Sequence, residues 1–290
     1  MSLASASVLD VAADGVVRRS RAADVPRIPA SVLKTLTFYT ARQSVTDGML
    51  SETVTITAAD MLGGSSADLQ VGDVLTWDAL FHGMMLPSGN DAAHAVGRIV
   101  GGLLDGTGDA YERFIARMNA VCGEFGWFGA VAASTSGLEQ DSRLSAEHVC
   151  ELLLALDSYA VQVAGTMAYE ATISGPNART VTWEHSIQRD GPVPLPEMVC
   201  AKSGTLGGID LANLAILWDD ALGVRHALAL LNSWPMSARL HDAREVIDGT
   251  ILARVHVGGL VPVRNVTRIR HRVGDETREV QSFALGKVEG

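Results

Sequence analysis

The sequence predicts an α/β fold of the α+β type, in which helices flank one antiparallel sheet built from N- and C-terminal segments. Two observations predict this fold class. Strand-like segments occur near both ends of the 290-residue chain, whereas apolar residues in the middle recur at helical spacing. Terminal strands that enclose a mostly helical insertion can share one sheet on which the helices pack. We expect this domain to occupy residues 1–255 and a short β-like tail to follow over 256–290.

The N-terminal elements are predicted to be a hairpin, a helix and a short strand. Residues 5–9 and 16–19 form the two strands of the hairpin, because an Asp-Gly turn separates their apolar runs. A helix is expected over 31–43, where apolar side chains cover a wide arc and indicate burial. Residues 53–57 alternate as a small strand does.

The remaining elements are a helical middle and a strand-rich end. Helical spacing predicts four further helices, over 74–85, 91–99, 109–125 and 145–157. The end of the chain is expected to hold strands over 198–203, 211–218 and 225–231, a helix over 238–253, and β-like segments around 260–272 and 277–285. The late strands would join the N-terminal hairpin in one sheet.

The amino-acid composition argues against several classes of binding partner. A net charge of −10 and a pI near 5.2 argue against nucleic acid or an anionic membrane as a general partner. No apolar run approaches the roughly 18 residues that span a bilayer. No metal or cofactor is expected, because the histidines form no helix-spaced pair. The three cysteines Cys122, Cys150 and Cys200 are expected to be buried thiols, with one disulfide plus a free thiol as the open alternative.

Lysine is rare in this chain. Of the 23 basic residues only three are lysines, at positions 34, 202 and 287. Arginine stays protonated in proteins, whereas a desolvated lysine can lose its proton and act as a base. Lysines retained inside short polar motifs therefore indicate enzymatic chemistry.

The first lysine closes a Ser-x-x-Lys motif that begins at Ser31 and ends at Lys34. Side chains three positions apart on a helix lie on the same face, so the hydroxyl and the amine can meet. A serine hydroxyl needs a positioned base to act as a nucleophile, and a buried, neutral lysine can supply it. Taken alone, the pair is more simply explained by Ser31 as a helix cap and a Lys34 side chain that reaches solvent.

A Ser-x-Asn motif, Ser88-Gly89-Asn90, lies between two predicted helices. Its hydroxyl and amide would both point into a cleft, where one could relay a proton and the other orient a base. The plainer interpretation is a turn in which Asn90 is the N-cap of the next helix.

The second motif lysine lies in Lys202-Ser203-Gly204-Thr205, at the end of a predicted strand. A cation beside two hydroxyls suits a substrate carboxylate, and a glycine lets a ligand backbone approach closely. An ordinary strand end with a solvated lysine is the alternative. Arg225, in a neighbouring predicted strand, is a weaker candidate for carboxylate binding, since a surface arginine is the commoner case.

Three such motifs in this order are the signature of β-lactamases and penicillin-binding proteins. Residues 29–34, Pro-Ala-Ser-Val-Leu-Lys, resemble the Pro-Ala-Ser-x-x-Lys of low-molecular-mass serine D-alanyl-D-alanine carboxypeptidases. Residues 88–93 are similar to their Ser-Gly-Asn-Asp-Ala segment. Further pairs typical of that family are Gly72-Asp73, Met118-Asn119 and Gly137-Leu138.

The resemblance implies a β-lactamase/transpeptidase-like fold and a peptidase that acts on the D-Ala-D-Ala end of peptidoglycan stem peptides, with β-lactam antibiotics as covalent inhibitors. It also implies an extracytoplasmic location (periplasmic, cell-wall-associated or secreted). No signal peptide is recognisable in the sequence, so we expect any leader to have been removed.

The same resemblance implies the role of each motif residue. Ser31 would be the nucleophile and Lys34 its general base, while Asn90 would orient Lys34 and the substrate amide. Ser88 would pass a proton to the departing D-alanine, and Lys202 would supply positive potential. The substrate carboxylate would be bound by Ser203, Gly204 and Thr205. The oxyanion hole would be formed by the backbone N–H groups of Ser31 and Thr205.

Two features depart from the family pattern. Before Gly137 the family often carries Phe-x-Asn-Pro, whereas residues 133–136 here are Ala-Ser-Thr-Ser, which puts substrate contacts from that loop in doubt. We also expect the family's larger C-terminal β-domain to be missing, since little more than a short tail follows residue 255.

Other functions stay open. A class A β-lactamase needs a glutamate for deacylation, usually in the motif Glu-x-x-Leu-Asn. Residues 137–142, which form the corresponding loop here, lack that motif. Glu139 is the residue to test if fast hydrolysis of β-lactams is observed. A β-lactam or peptidoglycan sensor would be acylated without turnover, although the complete motifs disfavour it. An endopeptidase that cuts crosslinks would use the same motifs. A general esterase is disfavoured, because the sequence contains no Gly-x-Ser-x-Gly.

Overall fold

The structure, a computed structural model, describes residues 3–190, 195–256, 265–273 and 276–284. Its strands are β1 (Ser5–Ala12), β2 (Val17–Arg21), β3 (Thr53–Thr55), β4 (Val74–Thr76), β5 (Ala168–Ile173), β6 (Arg179–Glu184), β7 (Met198–Leu206), β8 (Leu211–Asp219), β9 (Arg225–Ser233), β10 (Asn265–Val273) and β11 (Glu276–Ala284). Its helices are α1 (Lys34–Arg42), α2 (Trp77–Met85), α3 (Asn90–Leu103), α4 (Ala110–Glu124), α5 (Ala146–Ala155), α6 (Ser158–Gly165) and α7 (Ala238–His256). Within this described part of the chain, no helix is long and apolar enough to cross a membrane.

Strands from both ends of the chain share one sheet, as predicted. β1 pairs with β2 on one side and β9 on the other, and β8 connects β9 to β7. All these pairs are antiparallel, and the strand order is β2-β1-β9-β8-β7. β7, which carries the second motif lysine, therefore lies at an edge of the sheet.

The sheet is covered by helices on both faces. Its side chains alternate between the faces, and the strands are apolar on both. Leu9 and Ala229 point into the larger core, which the sheet shares with helices α1 to α6. Val8 and Leu230 point the other way, into a smaller core closed by Leu240 and its neighbours on α7. This layered packing confirms the predicted fold class.

Several elements differ from the predictions. The helix expected over 74–85 begins at Trp77, because the three preceding residues pair with β3 as strand β4. Thr76 then caps α2 by accepting a hydrogen bond from the Ala79 N–H at 3.2 Å. The sequence did not predict helix α6 or the β5–β6 hairpin.

Two late strands lie where β-like segments were expected. β10 and β11 pair with each other in an antiparallel hairpin. The predicted segments over 260–272 and 277–285 begin or end at residues outside the described ranges. The domain boundary at residue 255 stays a prediction.

A buried ion pair connects α1 to α6. Arg42 Nε donates to Asp157 Oδ2 at 2.9 Å, and the two side chains are only 1% and 2% exposed. Asp157 also caps α6 through the Ala160 N–H, and the Arg42 guanidinium lies 4.7 Å from the centre of the Tyr159 ring. Because Asp157 is buried, removing Arg42 would leave that carboxylate without its neighbouring cation.

The three cysteines are free and buried, in agreement with the predicted buried thiols. Burial raises the pKa of the Cys122 and Cys200 thiols to about 12, and it raises the pKa of Cys150 well above its usual value. These thiols therefore pack as small apolar side chains.

Candidate active site

The three motifs meet where α1, the α2–α3 connection and edge strand β7 come together. Ser31 lies in a 3-10 helix, Ala30–Leu33, that leads directly into α1. Lys34 is the first residue of α1, and Asn90 begins α3. The helix predicted from residue 31 is therefore a tight turn followed by a regular α-helix.

Lys34 is held by three hydrogen bonds at a buried position. Its Nζ lies 3.0 Å from Ser31 Oγ, 2.8 Å from Asn90 Oδ1 and 2.9 Å from the Ser136 carbonyl oxygen. The side chain is fully buried, and this burial lowers the pKa of the amine to about 7. The negative charges of Asp91 and Glu139 oppose that decrease. The amine can therefore be neutral near physiological pH.

The backbone at the site is strained at two residues. Ala30, which precedes Ser31, has φ +47°, and Ser88 has φ +65°. Non-glycine residues rarely adopt this left-handed conformation, and such strain concentrates at functional sites. Both residues are buried, so the surrounding structure imposes these conformations.

Gly137 permits a close contact behind the nucleophile. Its φ is +76°, and a Cβ added there would lie 1.9 Å from the Ala30 carbonyl oxygen. A side chain at this position would therefore displace the turn that carries Ser31.

The segment over 133–136, from which substrate contacts were in doubt, supplies a backbone carbonyl to the site. Asn119 fixes its start, donating to the Ala132 carbonyl at 2.8 Å and accepting from the Ala132 N–H at 3.0 Å. Ser136 then presents its carbonyl oxygen to Lys34. Because a backbone group makes this contact, the sequence could not indicate it.

Lys202 forms a second pair beside the first. Its Nζ donates to Ser88 Oγ at 2.9 Å and to the Ser203 carbonyl oxygen at 2.8 Å, and the side chain is 1% exposed. Ser203 Oγ lies 2.9 Å from Ser186 Oγ, which no sequence motif indicated. The geometry therefore connects the Ser-x-Asn motif to the end of β7.

A buried histidine supports β7 next to Lys202. Burial and the positive charge of Lys202 lower the pKa of His185 to about 4. Its Nδ1 accepts from the Ile187 N–H at 3.1 Å, so Nε2 is left to donate to the Ala201 carbonyl oxygen, also at 3.1 Å. The neutral ring therefore holds the segment that carries Ser186 against strand β7.

The end of β7 passes close to the backbone of Ser31. A Cβ added at Gly204 would lie 2.9 Å from the Pro29 carbonyl oxygen and 3.0 Å from the Ser31 nitrogen. Glycine is therefore the residue that allows this approach. Thr205 follows at the mouth of the site, where its side chain is exposed.

Arg239, from the start of α7, is a site residue that sequence reasoning missed. Its Nη1 donates to the Gly204 carbonyl oxygen at 2.9 Å and to Thr205 Oγ1 at 2.8 Å, although the residue is only 5% exposed. Arg225, the weaker sequence candidate, instead pairs with Asp219 at the other end of β8. Arg239 lies in no motif, and only the tertiary fold brings it to the site.

Two cavities flank the nucleophile. The smaller cavity, of about 180 Å³, is polar, and its lining includes Ser31, Ser88, Ser186, Arg189, Ser203 and Arg239. The larger cavity, of about 350 Å³, lies against Asn90 and includes Ser31, Gly137, Leu138, Gln140, Leu206 and Ile209 in its lining. Among the described residues that line the smaller cavity, two are arginines and none is acidic.

This arrangement is suited to acyl transfer. A hydroxyl lies within hydrogen-bond distance of an amine that can be neutral, and strand β7 passes beside the same hydroxyl. The smaller cavity offers arginine and hydroxyl donors, which bind a carboxylate well. The site therefore suits an acyl donor that ends in a carboxylate.

Comparisons with known proteins agree with this geometry. A profile of the D-alanyl-D-alanine carboxypeptidase family matches residues 2–191. A search of curated proteins finds no match.

Two solved structures show the same fold. The Streptomyces K15 DD-transpeptidase is 22% identical, with 87% of this chain and 98% of its own aligned and a TM-score of 0.75. A penicillin-binding protein homologue from Mycobacterium tuberculosis is 17% identical, with 90% and 96% aligned and a TM-score of 0.72. At these identities the likeness concerns the fold, and it confirms the predicted transpeptidase-like architecture.

Proposed function

The chain belongs to the D-alanyl-D-alanine carboxypeptidase family, and on that premise we propose that it removes the terminal D-alanine from peptidoglycan stem peptides. The observation that carries this proposal is the buried Lys34 amine, 3.0 Å from Ser31 Oγ and with a pKa lowered to about 7. A serine with such a base can form an acyl-enzyme, and the same serine would be acylated by β-lactams.

In the acylation step, neutral Lys34 takes the proton of Ser31. Its two N–H groups donate to Asn90 Oδ1 and the Ser136 carbonyl oxygen, which leaves the nitrogen lone pair for the serine O–H. Ser31 Oγ then bonds to the carbonyl carbon of the penultimate D-alanine. The proton held on Lys34 passes to the peptide nitrogen, and the C–N bond breaks.

Ser88 is the proposed relay for that proton. It accepts a hydrogen bond from Lys202 Nζ at 2.9 Å and lines the smaller cavity, where the departing D-alanine would lie. With its oxygen held by a buried cation, the hydroxyl can release its proton to the leaving nitrogen and receive another from Lys34.

The developing oxyanion would be bound by the backbone N–H groups of Ser31 and Thr205. The close approach of β7 to the Ser31 backbone at Gly204 supports this assignment. Losing one such donor typically costs about 3 kcal/mol of transition-state stabilisation.

The terminal carboxylate of the substrate is assigned to the smaller cavity. Ser203 and Thr205 line it, together with Arg239, Arg189 and Ser88, and Ser88 accepts a hydrogen bond from Lys202. After D-alanine leaves, water attacks the acyl-enzyme and regenerates Ser31. Because stem peptides lie outside the cytoplasmic membrane, we further propose an extracytoplasmic location.

Release of D-alanine from Nα,Nε-diacetyl-L-lysyl-D-alanyl-D-alanine tests this function. We expect turnover by the natural chain and none by Ser31→Ala. A parallel reaction with glycine as an amine acceptor separates hydrolysis from transpeptidation, since a new D-alanyl-glycine peptide would reveal transfer. Acylation by penicillin without any D-alanine release would favour the sensor function instead.

A further inference from the structure

The larger cavity differs in chemistry from the smaller one. Leu138 and Ile209, which are 42% and 43% exposed, line it from two separate segments, and Leu206, the last residue of β7, lines it as well. Gln140 adds an uncharged amide, and glycines form much of the remaining wall. Of the described residues that line this cavity, none is charged.

The two cavities fix the direction of a bound peptide. Both include Ser31, so the scissile bond lies between them. The cationic lining of the smaller cavity takes the terminal carboxylate, which places the acyl portion and the preceding residue in the larger cavity. With about 350 Å³, that cavity has room for a long side chain.

We propose that Leu138 and Ile209 make the enzyme selective for acyl donors in which the residue before D-Ala-D-Ala has an uncharged side-chain end. This inference rests on the proposed function and names the substrate class of the same site. A side chain capped as an amide would bury its methylenes against both aliphatic side chains. A free ammonium or carboxylate would lose hydration there without gaining an oppositely charged partner among the described lining residues.

Acidic residues near the rim oppose this selectivity only weakly. Glu139, Asp141 and Asp210 are adjacent in sequence to lining residues, but all three are exposed and none of them lines the cavity. Attraction between exposed charges changes an equilibrium by about fivefold at most and weakens with salt. We therefore expect the uncharged lining to decide the preference.

The experiment compares kcat/KM for two peptides that differ in one acetyl group. Nα,Nε-Diacetyl-L-lysyl-D-alanyl-D-alanine has an uncharged side-chain end, and the Nα-acetyl peptide carries a free ammonium. We expect the diacetyl peptide to be preferred by about tenfold or more, which corresponds to about 1.4 kcal/mol. The double variant Leu138→Ser, Ile209→Ser should reduce the preference to less than about threefold. The matched control Leu222→Ser, in an exposed turn between β8 and β9, should keep it.

Acylation by penicillins provides a readout that does not require peptidase activity. Benzylpenicillin carries an apolar acyl side chain, whereas 6-aminopenicillanic acid carries a free amine on the same ring system. We expect faster acylation by benzylpenicillin and a smaller ratio in the double variant. If neither peptide is cleaved, the proposed function fails, yet this ratio still tests the cavity. Equal rates for both members of each pair, a salt-sensitive preference for the ammonium peptide, or an unchanged ratio in the double variant would overturn the inference.

Discussion

Acylation of Ser31 should depend on pH through Lys34, because the amine must be neutral to accept the serine proton. An ordinary lysine with a pKa of 10.5 is neutral in about one molecule in 3,000 at pH 7. Burial lowers the pKa to about 7, which makes about half of the molecules reactive. The fold thus increases the active form at neutral pH by about a thousandfold.

The assay is the second-order rate of acylation by benzylpenicillin, followed by quenched-flow mass spectrometry over roughly pH 5 to 10. We expect the rate to rise about tenfold per pH unit at low pH, to pass its midpoint near pH 7, and to level off above it. Lys34→Arg should show almost no acylation at any of these pH values, because arginine stays protonated.

A variant that removes one negative charge tests whether this midpoint reports the titration of Lys34. Glu139 raises the pKa of Lys34, so Glu139→Gln should move the midpoint to lower pH. Glu52→Gln makes the same chemical change at an exposed position in the loop before β3, and it should leave the midpoint in place. A profile that is flat, or that has its midpoint near pH 10 in the natural chain, would refute the neutral-lysine mechanism. A midpoint that rises in Glu139→Gln would contradict the electrostatic reasoning.

The other predictions concern packing and substrate binding. Arg42→Met should lower the free energy of unfolding in urea by about 3 kcal/mol or more, because it removes the cation paired with the buried Asp157. Arg117→Met breaks an exposed ion pair and should lower the free energy of unfolding by about 1 kcal/mol at most. Equal losses in the two variants would contradict this reasoning. Gly137→Ala should slow acylation by at least about a hundredfold, because its Cβ would overlap the turn that carries Ser31; a rate within about threefold of the natural chain would argue against that contact. Arg239→Leu should raise KM for a D-Ala-D-Ala peptide about tenfold or more, and an unchanged KM would remove Arg239 from carboxylate binding.

Much of the fold could be predicted because it depends on local patterns. The hairpin at the N-terminus, the helix after Ser145 and the three late strands all have turn or cap signals beside regular apolar spacing. Strand β4 was not recognised in the sequence because its three residues continue directly into helix α2. The β5–β6 hairpin alternates strictly between inward and exposed residues, with Ala171, Ile173 and Trp183 in the core, so the sequence did carry a period-2 signal there that the helical interpretation of the middle of the chain passed over.

The site could be predicted only where its chemistry is carried by motif side chains. Lys34 and Ser31 are three positions apart, so their contact follows from helix geometry. Arg239 comes from a helix far along the chain, and its hydrogen bonds depend on how α7 packs beside β7. The Ser136 carbonyl is a backbone group, which any residue type would present equally well. Contacts of these two kinds require the tertiary structure.

The most direct test of the central claim is the intact mass of the protein after brief exposure to benzylpenicillin, followed over hours. Nucleophilic Ser31 with Lys34 as its base predicts a single adduct of one drug molecule, located on the peptide that contains Ser31 and absent from Ser31→Ala. Rapid loss of the drug without a lasting adduct would indicate a β-lactamase. An untouched drug, or an adduct that persists in Ser31→Ala, would contradict the assignment of the nucleophile.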